Sequence, residues 1–322
     1  MNQEETDRLF MRRCLQLARN GIYGAKPNPM VGAVIVSADG RIIGEGYHAH
    51  CGQGHAEVNA FASVRPEDEP LLHESTIYVS LEPCSHYGKT PPCADLIISK
   101  GLRRVVCGCV DPFAKVRGRG IQKLRDAGIE VTVGVMREEC LSLNNRFITC
   151  NTLHRPYVML KWAQTANFRL NRGDGRQLHI STPWTQALMH KLRSEFDCIL
   201  VGYNTIITDH PQLNVRSWVG PNPTRLVLSG SHKLPEGFLG FGSIEEALRW
   251  MGDNGKQSLL VEGGAATLSG FIEADCWDAI RVETGTMSVS CGTPAPQLPK
   301  DIQLARREIV DGNIIETYNR KL

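Results

Sequence analysis

Two segments of this sequence carry closely spaced histidine, cysteine and glutamate residues: His55-Ala56-Glu57, and PCSHYGKTPPC from Pro83 to Cys93. Twenty-eight residues separate His55 from Cys84, and eight separate Cys84 from Cys93. One histidine and two cysteines are ligands of the kind that zinc takes, and three protein ligands leave a fourth position open, as in catalytic zinc sites. Glu57 is suited to act as the acid and base partner of a water at that position. The spacing therefore predicts a catalytic zinc site formed by His55, Cys84 and Cys93.

The residues alone leave other interpretations of this stretch open. The metal site could be structural, or the cysteines could be buried thiols of a reduced core, and neither arrangement needs the carboxylate of Glu57. His48, His50 and His86 are alternative ligands to His55, although none of them is followed two residues later by a carboxylate. Other cysteines in apolar, strand-like runs are expected in the core: Cys107, Cys109, Cys150 and Cys198.

The composition is that of a globular protein large enough for two domains. The chain has 322 residues, of which 42% are hydrophobic and 22% charged, with a net charge of +2. A charge so close to zero argues against a nucleic-acid partner. The charged first twenty residues do not resemble a signal peptide, and no run is long enough to span a membrane. The odd number of cysteines, 11, is then typical of reduced thiols. We expect a cytoplasmic protein.

Helix and strand patterns alternate along the first half. A helix is predicted from about Asp7 to Asn20, capped by Thr6 or Asp7, and two strands follow, joined by a turn at Asp39-Gly40. After them, helices are predicted at 55–64, 93–100 and 118–127, and strands at 76–81, 104–110 and 130–134. Such alternation predicts a sheet covered by helices. The proposed ligands fall at helix starts and strand ends, where such sheets place their sites.

A second α/β pattern begins near residue 156. Strands are predicted at 156–163, 198–202, 225–229, 258–261 and 275–283 and on both sides of Asp311-Gly312, with helices at 183–193 and 243–252. Gly263-Gly264 follows one of these strands and precedes a helix. That arrangement is a plausible phosphate cradle, although two glycines after a strand are also typical of a tight turn.

Three further motifs resemble the deaminase domain of the bifunctional deaminase/reductases of riboflavin biosynthesis. They are PNPMVG at residues 27–32, GEGYH at 44–48 and GKTPPC at 88–93. The eight-residue gap between Cys84 and Cys93 also resembles that family, whereas the general zinc-deaminase signature has two residues there. The resemblance implies a cytidine-deaminase-like α/β/α domain. It also implies that Asn28 and His48 contact a pyrimidine ribosyl phosphate and that Lys89 approaches its polar or phosphate end.

The second half resembles the reductase domain of the same family, which is similar to dihydrofolate reductase and uses NADPH. The matching segments are 192–202, 205–216 and 261–264. By this resemblance, one group of residues lies at the cofactor: Ala163, Thr205, Asp209, Gly263 and Gly264. A second group lies at the substrate: Arg193, Leu213, Arg216 and Glu262. An arginine suits a ribose phosphate because its fork can bind two oxygens.

The reductase half departs from the family at three positions. Phe168 stands where relatives have glycine, His179 where many have tryptophan near the nicotinamide, and Gln177 where a serine is usual. These changes leave the fold prediction intact and make a weakened reductase an alternative.

We therefore expect a deaminase domain at residues 1–147 and a reductase domain at 148–322. The predicted function is zinc-dependent deamination of a diaminopyrimidinone ribosylamino phosphate, followed by NADPH-dependent reduction of its ribosyl group to a ribityl chain. Alternatives are a zinc deaminase of another nucleotide or of tRNA adenosine, and a non-catalytic zinc module fused to a nucleotide-binding domain. The resemblance also implies a homo-oligomer, a homodimer or higher.

Overall fold

The chain folds as two compact units, Met1–His154 and Arg155–Leu322. The computed structural model describes residues 2–87, 91–111, 118–230 and 232–320. The units divide just after the helix Asn145–Leu153, whereas the sequence places the domain boundary inside that helix, after residue 147. Within the part of the chain that the structure describes, no helix combines the length and the apolar character needed to cross a bilayer.

The first unit is a five-stranded sheet with helices on both faces. Its strands are β1 (Gly32–Val36), β2 (Ile42–Tyr47), β3 (Thr76–Val79), β4 (Arg104–Cys107) and β5 (Glu130–Val133), in the order β2-β1-β3-β4-β5. The first strand is antiparallel to both neighbours, and β3, β4 and β5 are parallel. The helices are α1 (Gln3–Ala18), α2 (Ala56–Ala62), α3 (Cys93–Ser99), α4 (Arg119–Asp126), α5 (Arg137–Leu143) and α6 (Asn145–Leu153). The strands and helices predicted up to residue 134 follow one another in the predicted order. Two 3-10 helices, Arg19–Gly21 and Pro66–Glu74, were not predicted.

Strand β1 shows why this sheet needs two helical layers. Ala33 and Ile35 belong to one apolar cluster, and Val34 and Val36 to another that includes Phe10 of α1. Because side chains alternate between the faces of a strand, both faces of β1 are buried. A strand covered on both faces has a continuous apolar sequence, as GAVIV does.

The predicted start of α1 is wrong. The helix begins at Gln3 because the side chain of Asn2 accepts a hydrogen bond from the Glu5 amide, and Glu5 returns one to the Asn2 amide. Asp7, expected as a cap, is buried inside the helix and receives two hydrogen bonds from Arg104, each 2.8 Å long. The sequence reading found a cap-forming residue type but did not anticipate a partner 97 positions away.

The second unit is an eight-stranded sheet, also with helices on both faces. Its strands are β6 (Tyr157–Gln164), β7 (Cys198–Gly202), β8 (Thr224–Leu228), β9 (Phe238–Phe241), β10 (Ser258–Val261), β11 (Ala279–Thr284), β12 (Ile302–Val310) and β13 (Asn313–Arg320). Their order is β12-β13-β11-β6-β10-β7-β8-β9. Strands β11, β6, β10, β7, β8 and β9 are parallel, and the β12–β13 hairpin is antiparallel at one edge. The helices are α7 (Pro183–Glu195), α8 (Tyr203–Asp209), α9 (Ile244–Asp253) and α10 (Ala265–Glu273).

The two α/β units confirm the predicted fold class. The sequence reading missed α8 and β9, which are short, and it began β11 too early. The strand predicted over 275–283 starts at Ala279, since Asp275 has a left-handed backbone with φ of 56°. The N-cap of α7 is Thr182, whose side chain accepts a hydrogen bond from the Thr185 amide.

Candidate active sites

The structure brings His55, Cys84 and Cys93 together beyond the carboxyl end of β3, the central strand of the first sheet. Their ligand atoms lie within 4.8 Å of one another, and among the described residues no other group of histidine, cysteine or acidic side chains forms such a cluster. His55 Nδ1 is 3.6 Å from Cys84 Sγ and 3.3 Å from Cys93 Sγ. Cys84 follows β3, Cys93 is the first residue of α3, and His55 precedes α2. Three chain segments distant in sequence thus supply one donor each.

The chemistry of this donor set fits zinc. An imidazole nitrogen and two thiolates are its usual ligands, with bonds of about 2.1 Å to nitrogen and 2.3 Å to sulfur. The contact with Cys93 lowers the pKa of Cys84 well below its ordinary value, and the same contact raises the pKa of Cys93. The amide of Cys93 also donates to Cys84 Sγ over 3.3 Å. One thiolate is therefore stabilised by the protein itself.

Glu57 lies in the first turn of α2 and is 3% exposed. Residues two apart do not share a face of a regular helix. His55, however, is the N-cap of α2 and has an extended backbone, with φ of −69° and ψ of 171°. Because His55 is outside the regular helix, its side chain and that of Glu57 can approach the same site. Glu57 contacts Cys93, and burial raises the pKa of its carboxyl to about 7. A carboxyl with that pKa can both take and give a proton near neutral pH.

Asn28 and His48 form a pair beside the cluster. The Asn28 amide nitrogen is 3.1 Å from His48 Nε2, and the rings of His48 and His55 meet edge to face, with centroids 5.2 Å apart. His48 Nδ1 lies 3.2 Å from the carbonyl of Gly54, which can only accept. Nδ1 must therefore carry the proton, and Nε2 accepts from Asn28. Since burial also lowers the pKa of His48, the ring is held neutral.

None of the other histidines considered as ligands belongs to the cluster. His48 is engaged by Asn28 and Gly54, and His50 and His86 are exposed. Lys89, expected near the phosphate of the substrate, is outside the described residues.

Glu82, which was not predicted as a site residue, holds the backbone beside Cys84 in place through hydrogen bonds. Its carboxylate is 4% exposed and accepts hydrogen bonds from the amides of Asp111, Gly118 and Gly120, at 2.8 to 3.1 Å. Gly120 has no room for a side chain, since a Cβ would lie 2.0 Å from the carbonyl oxygen of Pro83. The turn that carries Cys84 is thereby fixed to the start of α4.

A cleft of about 1800 Å³ lies in the second unit, at the ends of the parallel strands. All nine residues predicted for this half line it: Ala163, Arg193, Thr205, Asp209, Leu213, Arg216, Glu262, Gly263 and Gly264. Gln177 also lines the cleft, whereas His179 and Phe168 do not. Phe168 is 63% exposed and has φ of 60°, a left-handed backbone that glycine adopts more readily than phenylalanine.

The N-terminus of α10 forms one wall of this cleft. Its cap, Gly264, offers no side-chain hydrogen bond, so amides of the first turn remain directed to the cleft. Gly202 approaches the same turn so closely that a Cβ would lie 2.4 Å from Thr267 Oγ1. A helix start with uncapped amides fits a phosphate group, and therefore the pyrophosphate of a dinucleotide.

Arg193 and Glu262, both predicted at the substrate, are bound to each other. The guanidinium donates to both carboxylate oxygens, over 2.7 and 2.6 Å, and to the carbonyl of Asn214 over 3.2 Å. The fork of Arg193 is thus occupied. Arg216 is exposed, and its side chain contacts Asn214 Oδ1 over 3.1 Å. Arg216 is the better placed of the two arginines to meet an anion.

Lys161 is a cleft residue that the sequence reading missed. It is 8% exposed and lines the cleft, yet among the described residues it makes no hydrogen bond or ion pair. Burial lowers the pKa of its ammonium group. The only sequence signal was a lysine within the apolar strand YVMLKWAQ.

The fold and the two sites define a class of two-unit protein that joins a deaminase-type zinc-binding region to a separate α/β domain. Residues 4–109 match the family model of the cytidine and deoxycytidylate deaminase zinc-binding region, and residues 156–289 match that of the RibD C-terminal domain. A RibD riboflavin biosynthesis protein of Bacillus amyloliquefaciens is 33% identical, over 90% of this chain and 86% of its own. The chain belongs to the RibD family of riboflavin biosynthesis proteins.

Other relatives extend the comparison. The RibD protein of Aquifex aeolicus is 43% identical over 72% of this chain. That match and those to the Actinobacillus pleuropneumoniae and Synechocystis proteins span 60 to 64% of the relatives' own lengths. The solved structure of a diaminohydroxyphosphoribosylaminopyrimidine deaminase/5-amino-6-(5-phosphoribosylamino)uracil reductase from Thermotoga maritima is 33% identical. It superposes with a TM-score of 0.90 over 99% of this chain and 100% of its own. Acinetobacter baumannii RibD is 28% identical and superposes with a TM-score of 0.87, over 99% of this chain and 100% of its own.

Proposed function

We propose that the chain is a bifunctional enzyme that acts twice on one pyrimidine ribosyl phosphate. The first unit hydrolyses an amine from the diaminopyrimidinone ring, and the second reduces the ribosyl group to a ribityl chain with NADPH. The observation that carries the proposal is the cluster of His55, Cys84 and Cys93 with the buried carboxyl of Glu57 beside it. The similarity to the Thermotoga maritima enzyme over the whole of its chain supports the choice of substrate.

In the first unit, His55, Cys84 and Cys93 would hold zinc. The ion supplies the Lewis acidity that makes water nucleophilic near neutral pH. Glu57 accepts a proton as water adds to the ring carbon that bears the amine, and returns a proton to the departing ammonia. Its raised pKa suits both transfers, since neither protonation state is strongly favoured near pH 7. The Asn28–His48 pair orients the pyrimidine ring beside Glu57.

In the second unit, Ala163, Thr205, Asp209 and the Gly263-Gly264 turn would hold NADPH, which supplies the hydride. Lys161 donates the proton that the reduction requires: hydride adds to C1′ of the ribose, the bond from C1′ to the ring oxygen breaks, and that oxygen takes the proton. Arg216 binds the substrate phosphate, because it is exposed at the cleft while the fork of Arg193 is occupied by Glu262.

A single assay on the purified protein tests the proposal. The diaminopyrimidinone phosphate is supplied with and without NADPH, and ammonia release and NADPH absorbance are followed together. Release of ammonia with NADPH consumption supports both activities. If neither occurs in protein whose zinc content has been verified, the proposed substrate is wrong, and a zinc deaminase of another nucleotide becomes the better proposal.

A deaminase with an impaired reductase is the second candidate. The observation that favours it is the position of His179, which is exposed and does not line the cleft, where many relatives place a nicotinamide-contacting tryptophan. Ammonia release without NADPH consumption, and no NADPH binding by calorimetry, would support this candidate.

We further propose that two copies associate through the second unit, as the family resemblance implies. Light scattering tests that association, and a monomer at micromolar concentration would contradict it.

A further inference from the structure

We infer that Glu283 is a positioning residue of the second site: its carboxylate ties the segment 177–181, whose first two residues line the cleft, to β11, and its negative charge acts on the Lys161 ammonium from the same face of the sheet. The inference rests on the proposed reduction at this cleft. It assigns a role to a residue that contacts neither the proposed substrate nor the proposed cofactor.

The first support is the set of hydrogen bonds that Glu283 accepts. It is 3% exposed, and its two oxygens receive Ser181 Oγ over 2.8 Å and Asn313 Nδ2 over 2.7 Å. Asn313 Nδ2 also donates to the carbonyl of Ile180 over 3.0 Å. Ser181 is therefore tied directly to the carboxylate and Ile180 is tied to it through Asn313, while Gln177 and Leu178 of the same segment line the cleft.

The packing leaves this segment little freedom to move. A Cβ at Gly285, two residues after Glu283, would lie 2.9 Å from the side chain of Ile180. Close contact on one side and two hydrogen bonds on the other hold the backbone of the segment against β11.

The second support is the strand register. Strands β6 and β11 are parallel neighbours, and Lys161 is opposite Arg281 while Ala163 is opposite Glu283. Since side chains alternate along a strand, Lys161 and Glu283 lie on the same face of the sheet as diagonal neighbours. The long side chain of Lys161 forms no ion pair among the described residues, so it is held near Glu283 without being bound to it.

Lys161 lies among two carboxylates and two guanidinium groups, and the carboxylate of Glu262 acts on its ammonium group more strongly than that of Glu283. The groups that face Lys161 are Glu262 of the segment after β10, Glu283 and Arg281 of β11, and Arg193 of α7. Glu262 is already neutralised by the two hydrogen bonds from Arg193. The oxygens of Glu283 are held by neutral donors, Ser181 and Asn313, so its negative charge remains available to Lys161.

Burial and Glu283 act on the ammonium group in opposite directions. Burial lowers the pKa of Lys161, and the carboxylates of Glu262 and Glu283 raise it. Without the charge of Glu283, a larger fraction of Lys161 would be neutral and unable to donate a proton at the pH of the reaction.

The test uses the full chain and two readouts on four variants. The first readout is the titration of Lys161, measured by the pH dependence of its acetylation with acetic anhydride, followed by mass spectrometry. The second is the pH profile of reductase kcat and KM. Glu283→Gln removes the charge and keeps the size, Glu283→Asp keeps the charge, and Ser181→Ala removes one hydrogen bond. Glu245→Gln is the matched control, since Glu245 is an exposed carboxylate of the same unit, on α9.

In Glu283→Gln we expect the ratio of protonated to neutral Lys161 to fall about tenfold at a given pH. The basic limb of the kcat profile should move to lower pH by the same amount, and Glu283→Asp should restore most of both. Ser181→Ala should raise KM without moving the titration. Glu245→Gln should change neither.

An unchanged Lys161 titration in folded Glu283→Gln overturns the inference. If that variant does not fold, Ser181→Ala decides, because it leaves the carboxylate in place: a raised KM supports the inference and an unchanged KM overturns it. If the wild-type protein has no reductase activity, the proposed function fails, but the acetylation titration still decides whether Glu283 sets the state of Lys161.

Discussion

Replacing Glu262 by glutamine should destabilise the second unit, because it leaves the Arg193 guanidinium buried beside a neutral partner. The side chains of Arg193 and Glu262 are 13% and 10% exposed and are joined by two hydrogen bonds, of 2.7 and 2.6 Å. Burial and the Arg193 charge act in opposite directions on Glu262, and the net effect lowers the pKa of its carboxyl. The pair is therefore charged at neutral pH.

The expected loss follows from this geometry. Removing one partner of a buried ion pair costs about 3 to 5 kcal/mol. Glutamine keeps one oxygen that can accept from Arg193, and a neutral hydrogen bond is worth about 1 kcal/mol. We therefore expect the free energy of unfolding to fall by about 2 to 4 kcal/mol. For a unit of this size, that corresponds to a decrease in Tm of roughly 4 to 16 °C.

Tryptophan fluorescence in a urea titration measures this loss specifically. All five tryptophans of the chain lie after residue 155, so the signal reports on the second unit. Glu245→Gln is the control: it makes the same change in charge at a carboxylate that is 82% exposed, in an i,i+4 pair with Arg249. We expect a change within about 0.5 kcal/mol there.

The difference in stability between wild type and Glu262→Gln should depend on pH. Because the folded pKa of Glu262 lies below its ordinary value of 4.5, the ion pair stabilises the protein fully above that value. The contribution is lost as the pH falls through the lowered pKa, so wild type and Glu262→Gln should converge in acid. A neutral-pH urea midpoint for Glu262→Gln equal to that of Glu245→Gln would refute the reasoning.

Three further predictions address the first site, the first unit and the departure at residue 168. Glu57→Gln should retain zinc, as measured by metal analysis. Its deamination rate should fall about 10²- to 10⁴-fold, because glutamine cannot transfer the proton. Undiminished deamination would overturn the proposed role of Glu57. Asp7→Asn should destabilise the first unit by about 3 kcal/mol at pH 7, because Arg104 loses its buried partner, as hydrogen exchange in β3 and β4 would show. Burial alone would raise the pKa of Asp7, but the hydrogen bonds from Arg104 and other side chains outweigh it and lower that pKa. The loss of stability in Asp7→Asn should therefore shrink as the pH falls through the lowered value. Equal protection of the two proteins from hydrogen exchange at pH 7 would contradict this prediction. Phe168→Gly should stabilise the second unit by about 0.5 kcal/mol in the fluorescence titration, since relief of a left-handed φ of 60° exceeds the greater unfolded-state freedom of glycine. A lower midpoint would show that Phe168 makes stabilising contacts that outweigh its backbone strain.

The sequence was most informative where chemistry is local. The His-x-Glu and Pro-Cys segments each specify a short piece of backbone together with its reactive groups, and the predicted zinc ligands do come together. Helices and strands with a clear period were located to within a few residues, because burial of one face requires that period. Short elements such as α8 and β9 carry too few residues to show one.

The buried charges were harder to predict, because their partners are set by the packing of distant segments. Asp7 was taken for a helix cap, and Arg193 for a group free to bind phosphate. Their partners are Arg104, 97 positions away, and Glu262, 69 positions away. The type of a charged residue can be read from the sequence, but the partner of its ion pair depends on how the sheet and helices pack.

Residue type and short spacing were enough to predict the cluster of His55, Cys84 and Cys93, the two α/β units and the glycine turn before α10. The tertiary structure was needed to show that Lys161 lines the cleft, that Glu283 lies on the same face of the sheet and that Arg193 is bound to Glu262. The physical reason is the register of β6 on β11 and the packing of α7 over them, which fix which buried charges meet. Burial strengthens those charge interactions, and burial is a property of the folded sheet rather than of any one segment.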